Sequence, residues 1–407
     1  MIISRKNNPL DFTIQAPPSK SIYHRELIVR FLSGDTKCLG EKDADNDDVK
    51  ATKACLRSLD NAKKQHPKEV ILPCKESGST IRFLIPVAAA FLLGEDRCAE
   101  KLIFRTEGRL FDRPFKELAE AMAAHGIRIE KEEGTRSIIV TGSMSAGKYV
   151  IEGSVSSQYI SGLLMALPIF SEESLVEVTG EMKSIGYIGL TMDALAKYNA
   201  PVKRSNNVFV PSCGGYHGDV TGDFQVEGDW SNGAFLLCMA EWSRITVEGL
   251  NPGSGQGDRA ILDFLEYAKQ IPSPAPATWD CTDTPDIAPY MAIVSPFFFD
   301  RITLTGIGRL RIKECDRVKA VREQLAAIGV KTEETEDSLT IYEYDDWQEL
   351  KEPVRLSSYN DHRMAMCAIL IAVILKIDMD VDNLECLNKS FPEFQDVIKK
   401  EFSLQRP

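Results

Sequence analysis

Two stretches of the chain, "DRPFKELAEAMAAHGIRIE" at 112–130 and "DRVKAVREQLAAIGVKTEE" at 316–334, lay out apolar and polar positions in the same way. Each opens on Asp-Arg, spaces its apolar residues at helical intervals, and stops at a glycine before a short alternating segment. In the second, Val318, Val321, Leu325 and Ile328 fall on one helix face, so one side can bury while the other stays wet. Gly126 and Gly329 then supply the left-handed residue that ends a helix. Similar helix-turn-strand passages end near Asp60, Asn199 and Gln270, a recurrence at roughly 60 to 70 residues that exceeds ordinary solenoid periods. Six such units would fill the chain, and they predict an α/β protein of two similar lobes. The longest unbroken apolar run, Met364 to Leu375, is shorter than the ~20 residues a membrane helix needs and reads as a buried core helix. "IPSPAPATWD" at 271–280 is the clearest loop, because its prolines cannot continue the preceding helix.

Composition narrows the function classes. A chain of 407 residues with 43% hydrophobic content can bury large cores and is expected to form two domains or more. The N-terminus "MIISRKNNPLDFTI" has no apolar stretch followed by a cleavage site, so a cytoplasmic location is expected. Ten cysteines, at 38, 55, 74, 98, 213, 238, 281, 315, 367 and 386, show no CxxC spacing; neither a zinc site nor a disulfide framework is expected, and buried thiols are. A formal charge of -12 argues against nucleic-acid or anionic-membrane partners, which call for a basic face. Any anion must be held by a local cluster.

Two glycine motifs mislead. "GSMSAGKY" has the spacing of a phosphate-binding loop, but Tyr149 stands where Ser or Thr belongs and a strand-like segment follows. "NPGSGQGDRAILDFL" sits between a strand and a helix with glycines at 253, 255 and 257, which is not the dinucleotide spacing. It reads as a tight connection.

Cations at helix starts carry more weight. A helix N-terminus favours negative charge, yet Lys20 and Arg25 follow the expected Ser19 cap, and Arg82 follows "ESGST". Arg113 precedes Pro114, a residue suited to the first helical position. Lys313 and Arg317 bracket "ECD", and Arg363 opens the apolar helix. One such cation is an ordinary solvated side chain; five independent helix starts point to an anion held where N-termini converge. Glu314, beside Lys313, and Asp286 are candidate general acids or bases. Their plainer roles are an ion pair with Lys313 for Glu314 and a helix N-cap for Asp286.

Read in order, "PSKSIYHR", "ESGSTIRFL", "FDRP", "GSVSSQYISGLLMALP", "PGSGQGD", "TPDIAPYMA", "RIKECDR", "NDHRMAM" and "NKSFPEF" closely resemble the 5-enolpyruvylshikimate-3-phosphate synthase family of enolpyruvyl transferases. The resemblance runs from Pro18 to Phe394. It implies an α/β (α+β) fold of two lobes, each of three βαβαββ units, an inside-out α/β barrel with the active site in the interlobe cleft. The chain would cross between lobes near residues 18 and 227, so 1–17 with 228–407 would form one lobe and 18–227 the other. The implied reaction transfers the enolpyruvyl group of phosphoenolpyruvate to shikimate 3-phosphate with no metal or organic cofactor. Partners would be these small molecules, and a monomer is expected.

The same resemblance assigns residues. Lys20, Ser21, Arg25, Ser156, Ser157, Gln158, Ser184, Tyr187, Asp286 and Lys313 would bind shikimate 3-phosphate, with Ser156, Ser157, Ser184 and Lys313 on its phosphate. Lys20, Gly78, Arg113, Gln158, Arg317, Arg363 and Lys389 would bind phosphoenolpyruvate, the two arginines Arg317 and Arg363 taking its carboxylate as planar forks. Lys20, Asp286 and Glu314 would carry the proton transfers. Gly78 implies susceptibility to the herbicide glyphosate. Two residues depart from the family pattern: Glu76 stands in "ESGST", where it is expected to turn away or meet a cation, and Arg309 replaces an Asn of some relatives. The sister transferase acting on UDP-N-acetylglucosamine is disfavoured by "PSKS" and "GSVSSQ". A non-catalytic phosphate- and carboxylate-binding protein is disfavoured by the presence of Lys20, Asp286 and Glu314.

Overall fold

In the computed structural model all residues are described except 6–8, 41, 43–44, 219, 221–224, 271–275, 346–349 and 406–407. The chain divides into a mid-chain unit, Lys20–Val226, and a terminal unit of Met1–Ser19 with Glu227–Pro407. Each encloses its own apolar core.

Two strands of the terminal unit come first, β1 (Ile2–Arg5) and β2 (Asp11–Gln15). The mid-chain unit opens with helices α1 (Lys20–Leu32) and α2 (Asp47–Gln65). It continues through β3 (Glu69–Lys75), α3 (Gly78–Leu93), β4 (Lys101–Thr106), α4 (Lys116–Ala123), β5 (Ile127–Glu132) and β6 (Ser137–Gly142). The sheet order is β3-β4-β6-β5, with β3 and β4 parallel and the other pairs antiparallel. The same wiring recurs in β7 (Lys148–Glu152), α5 (Ser157–Ala166), β8 (Leu175–Thr179), α6 (Ile185–Lys197), β9 (Val202–Ser205) and β10 (Val208–Pro211), ordered β7-β8-β10-β9.

The terminal unit resumes with α7 (Trp230–Ala240), β11 (Arg244–Glu248) and α8 (Ile261–Gln270); β11 pairs parallel with β2. A third sheet comes from β12 (Ala277–Asp280), α9 (Ala288–Val294), β13 (Arg301–Thr305), α10 (Arg317–Ala327), β14 (Thr332–Glu334) and β15 (Ser338–Tyr342). It is ordered β12-β13-β15-β14. The fourth uses β16 (Val354–Leu356), α11 (His362–Leu375), β17 (Met379–Val381), α12 (Phe394–Glu401) and β18 (Phe402–Gln405), with β1 between β17 and β18. Among the described residues, then, four units carry complete four-stranded sheets and one carries the β2–β11 pair, while α1 and α2 have no sheet of their own.

Parallel neighbours need a crossover helix, and the sequence marks those helices. Both α3 and α11 are apolar almost throughout and buried along nearly their whole length; the run from Met364 to Leu375 lies in α11. The second helix of each unit is amphipathic, and in α10 Val318, Val321 and Leu325 point inward. Gly126 and Gly329 follow α4 and α10 at φ 82° and 84°. No helix among the described residues is long and apolar enough to cross a membrane.

Several local expectations are corrected. The helix expected to stop near Asp60 runs on to Gln65, because Leu59 and Ala62 continue its buried face. Pro114 is not the first residue of a helix: α4 begins at Lys116, with Phe115 at the position before it. Within 271–280 the last four residues form β12, while 271–275 lie outside the described residues. The lysine-bearing glycine stretch links β6 to β7, strands of different sheets.

Helices α3 and α5 cross closely at Gly162, where an added Cβ would stand 2.7 Å from the Arg82 carbonyl oxygen and 2.8 Å from Pro86 Cγ. Backbone cannot yield as a side chain can, so Gly162→Ala is expected to lower unfolding free energy by about 1–3 kcal/mol. Urea titration checks this; an unchanged midpoint would show that the crossing is loose.

Candidate active site

The helices fall into two groups by their first turns. Helices α2, α4, α8 and α12 carry acidic residues there, as the helix dipole favours. Helices α1, α3, α5, α6, α7, α9, α10 and α11 carry none. Of this second group, α1, α3, α10 and α11 carry Lys20 and Arg25, Arg82, Arg317 and Arg363 near their starts, whereas Arg113 lies just before α4 of the first group.

In the mid-chain unit, Ser77 caps α3 by accepting from Thr80 N. A Cβ on Gly78, the first residue of α3, would lie 2.5 Å from Arg113 Nη1 and 3.2 Å from Arg82 Nη1; both guanidinium groups therefore crowd the helix start. Arg82 Nη1 donates to Gln158 Oε1 at 2.9 Å, and Gln158 Nε2 donates to Ser79 Oγ at 2.8 Å, tying α5 to α3. Lys20 Nζ pairs with Asp48 at 3.0 Å. Arg25 is 1% exposed and donates to Thr191 Oγ1, Ser161 Oγ and the carbonyls of Ser21 and Tyr187. These partners are neutral, so burial pushes the guanidinium down to about 10. Ser156 caps α5, Ser157 is buried beside it, and Ser184 precedes α6 at φ 57° without a capping bond from its side chain.

The terminal unit compensates its cations differently. Arg317, also 1% exposed, donates through Nε to Asp361 Oδ2 at 2.8 Å, through Nη2 to Glu314 Oε2 at 2.7 Å, and through Nη1 to Asp286 Oδ1 at 3.2 Å. Asp286 Oδ1 also meets Lys313 Nζ at 3.4 Å, and Arg363 Nη2 lies 3.6 Å from Oδ2. Burial pushes the Asp286 carboxyl up, but Lys313, Arg363 and Arg317 outweigh it and hold the group well below the usual carboxylate range. Lys313 is lowered, first by burial and then by the Arg317 and Arg309 charges, against the pull of Asp286 and Glu314. Lys389 Nζ donates to the Asn360 carbonyl at 2.7 Å, next to the Asp361 cap of α11.

The plainer role of Asp286 is thereby corrected. Asp286 is not an N-cap, since Ile287 holds that position of α9; it is the acceptor among three cations. Glu314 pairs with Arg317, three residues on, and its charge also acts on Lys313. The Ser19 hydroxyl donates to Gln256 Oε1 at 2.8 Å. Glu76 turns toward Gly108, where an added Cβ would meet its carboxylate. Arg309 reaches the Thr282 carbonyl at 2.6 Å and stands near Lys313.

Four residues of these clusters are absent from the site sets derived above. Arg82 stands one helical turn beyond Gly78, a signal available in "GSTIR". Tyr290 stacks under Arg363, with Cζ 5.8 Å from the ring centroid. Asp48 and Asp361 read as ordinary helix-start acids, and their cation partners lie 28 and 44 residues away along the chain, which no local pattern announces.

Comparison with known proteins shows the family. The family model described as EPSP synthase (3-phosphoshikimate 1-carboxyvinyltransferase) matches residues 4–398. A 3-phosphoshikimate 1-carboxyvinyltransferase of Clostridium kluyveri is 32% identical, over 96% of this chain and 95% of its own. That of Clostridium acetobutylicum is 31% identical over 97% and 96%. Among solved structures, EPSP synthase from Acinetobacter baumannii superimposes with a TM-score of 0.71 at 18% identity, covering 99% of each chain. The enolpyruvyl transferase NikO from Streptomyces tendae gives 0.62 at 11% identity, over 100% and 99%.

One buried acid gives the cluster a pH signature. Asp258, 3% exposed, accepts from Ser231 Oγ; burial and then the Asp286 charge push it up to about 6. A raised carboxyl stabilises fully below its unfolded value of about 3.9 and loses that contribution as pH rises through its folded value. Asp258→Asn is therefore expected to gain stability relative to wild type between pH 4 and 7. A stability difference independent of pH in denaturant melts would contradict it.

Proposed function

Because the chain belongs to the EPSP synthase family, we propose the following assignment of its residues to that family's reaction. The chain transfers the enolpyruvyl group of phosphoenolpyruvate to the 5-hydroxyl of shikimate 3-phosphate, releasing inorganic phosphate, a step toward chorismate and the aromatic amino acids. The observation that carries this is the family match over residues 4–398, with supporting cations at helix starts in both units. On this assignment the partners are two small molecules and the compartment is the cytoplasm, with the chain acting as a monomer.

The substrates carry four anionic groups, and the residues divide among them. Ser156, Ser157, Ser184 and Lys313 take the 3-phosphate, Ser21 and Arg25 the shikimate carboxylate, and Gln158, Tyr187 and Asp286 the ring. Arg25 has spent four of its five N–H donors within the protein, so it offers a single bond on Nη1. Lys20, Gly78, Arg113, Gln158 and Lys389 take the phosphate of phosphoenolpyruvate, and Arg317 and Arg363 its carboxylate. Arg82, held beside Gly78, joins the first of these sets.

In the chemical step the 5-hydroxyl oxygen bonds to C2 of phosphoenolpyruvate and its proton passes to a base, while C3 gains a proton and becomes a methyl group. Loss of a methyl proton and of phosphate then restores the methylene in the product. Asp286 is the base. Its carboxylate is a weak one while three cations surround it, and it strengthens when substrate anions draw Lys313, Arg317 and Arg363 away. Glu314 and Lys20 carry the protons at C3 and on phosphate. Exclusion of water around these groups magnifies every charge interaction.

Purified protein is expected to release inorganic phosphate only when both substrates are present. No release although both ligands bind would favour a non-catalytic anion-binding protein. Asp286→Asn should lower kcat by about 100-fold or more, with phosphate release as the readout. Gly78→Ala places a methyl where Arg113 Nη1 now lies; the flexible end of Arg113 can yield, so the protein should fold while KM for phosphoenolpyruvate rises about tenfold, near 1.4 kcal/mol. An unchanged KM would remove Gly78 and Arg113 from that pocket.

A further inference from the structure

The glycine-rich stretch "NPGSGQGD" does more than connect β11 to α8. The unit boundaries fall between Ser19 and Lys20 and between Val226 and Glu227. On the terminal-unit side the two segments run side by side: Pro18 and Gly228 form an antiparallel bridge. Ser19 N donates to the Glu227 carbonyl and Asp229 N to the Pro17 carbonyl, each at 2.8 Å. Gln256 lies against both segments. Its Oε1 accepts from Ser19 Oγ at 2.8 Å and from Trp230 N at 3.2 Å. Its Nε2 donates to the Gly228 carbonyl and to Glu227 Oε1, each at 2.9 Å.

This uses both acceptor positions and both donors of the amide, at 7% exposure, against a Ser19 that is wholly buried. An amide with four such partners has one orientation, because turning it over would set donor against donor. The loop that carries it is fixed in turn: the Glu227 carboxylate accepts from Asn251 Nδ2 at 2.8 Å and from Ser254 Oγ. Ser19 is thereby held through its backbone and its hydroxyl, and the next residue is Lys20, the first of α1.

We propose that Gln256 is a positioning residue for enolpyruvyl transfer: by locking Ser19 to the Glu227–Trp230 segment it sets the start of α1 and so the place of the Lys20 ammonium. The proposal rests on the role given to Lys20 above. Gln256 itself touches no substrate; it acts through Ser19. A catalytic group displaced by about 1 Å loses on the order of 100-fold in rate, so the effect belongs in kcat rather than in the affinity for shikimate 3-phosphate.

The test compares wild type with Ser19→Ala, which deletes one hydrogen bond, and Gln256→Glu, which keeps the shape but sets a carboxylate against Glu227 Oε1 and the Gly228 carbonyl. Phosphate release gives kcat and KM, calorimetric titration gives the affinity for shikimate 3-phosphate, and a thermal melt gives Tm. Ser19→Ala is expected to lose about tenfold in kcat and Gln256→Glu about 100-fold. Affinity for shikimate 3-phosphate should stay within about fivefold, and the loss should persist in assays run far below each Tm. Wild-type kcat in Ser19→Ala, or a loss that vanishes well below Tm, would overturn the proposal; if Gln256→Glu does not fold, Ser19→Ala decides. A wild-type protein that releases no phosphate would instead sink the reaction assignment, and the role of Lys20 with it.

Discussion

Arg317 holds a full positive charge, almost wholly buried, at the first position of a helix, where both desolvation and the helix dipole oppose it. Three carboxylates make that position tenable, and each comes from a different part of the unit. Asp286 precedes α9, Glu314 precedes α10, and Asp361 caps α11. The ion pairs therefore fix the relative placement of three helix starts as well as one side chain. Losing one partner of such a pair typically costs about 3–5 kcal/mol, since it strands the other charge.

The mid-chain unit meets the same problem with dipoles instead of anions. Arg25 is surrounded by hydroxyls and backbone carbonyls, and its guanidinium is pushed down in pKa, whereas three carboxylates push that of Arg317 up. A cation compensated only by dipoles retains more field for an incoming anion than one already paired. On the proposed assignment, that difference suits Arg25 to the shikimate carboxylate. On the same assignment, the terminal unit contributes the carboxylates Asp286 and Glu314 to proton transfer and the mid-chain unit the Lys20 ammonium.

Much of this was legible in sequence because it follows from local rules. The amphipathic spacing of α10, the apolar run of α11, the glycines after α4 and α10 and the missing first-turn acids all report on residues a few positions apart. The family resemblance rests on motifs of the same kind. What the chain did not announce is long-range: the Asp361 partner of Arg317, the Asp48 partner of Lys20, and the four contacts of Gln256 depend on how sheets and helices bring distant segments together. Misplaced helix ends at Asp60 and Pro114 have a local cause, since burial of Ala62 and the turn before Lys116 overrode propensity.

If Asp286 competes with substrate anions for Lys313, Arg317 and Arg363, then neutralising it alone must leave those cations more available. The most direct measurement is the dissociation constant of shikimate 3-phosphate and of phosphoenolpyruvate, by calorimetric titration at fixed ionic strength, for wild type and Asp286→Asn. Binding that is as tight or tighter in the variant, in a protein that no longer turns over, is the expected result. Markedly weaker binding of both ligands would contradict it, and would make Asp286 a structural support for the cations rather than their competitor and the base.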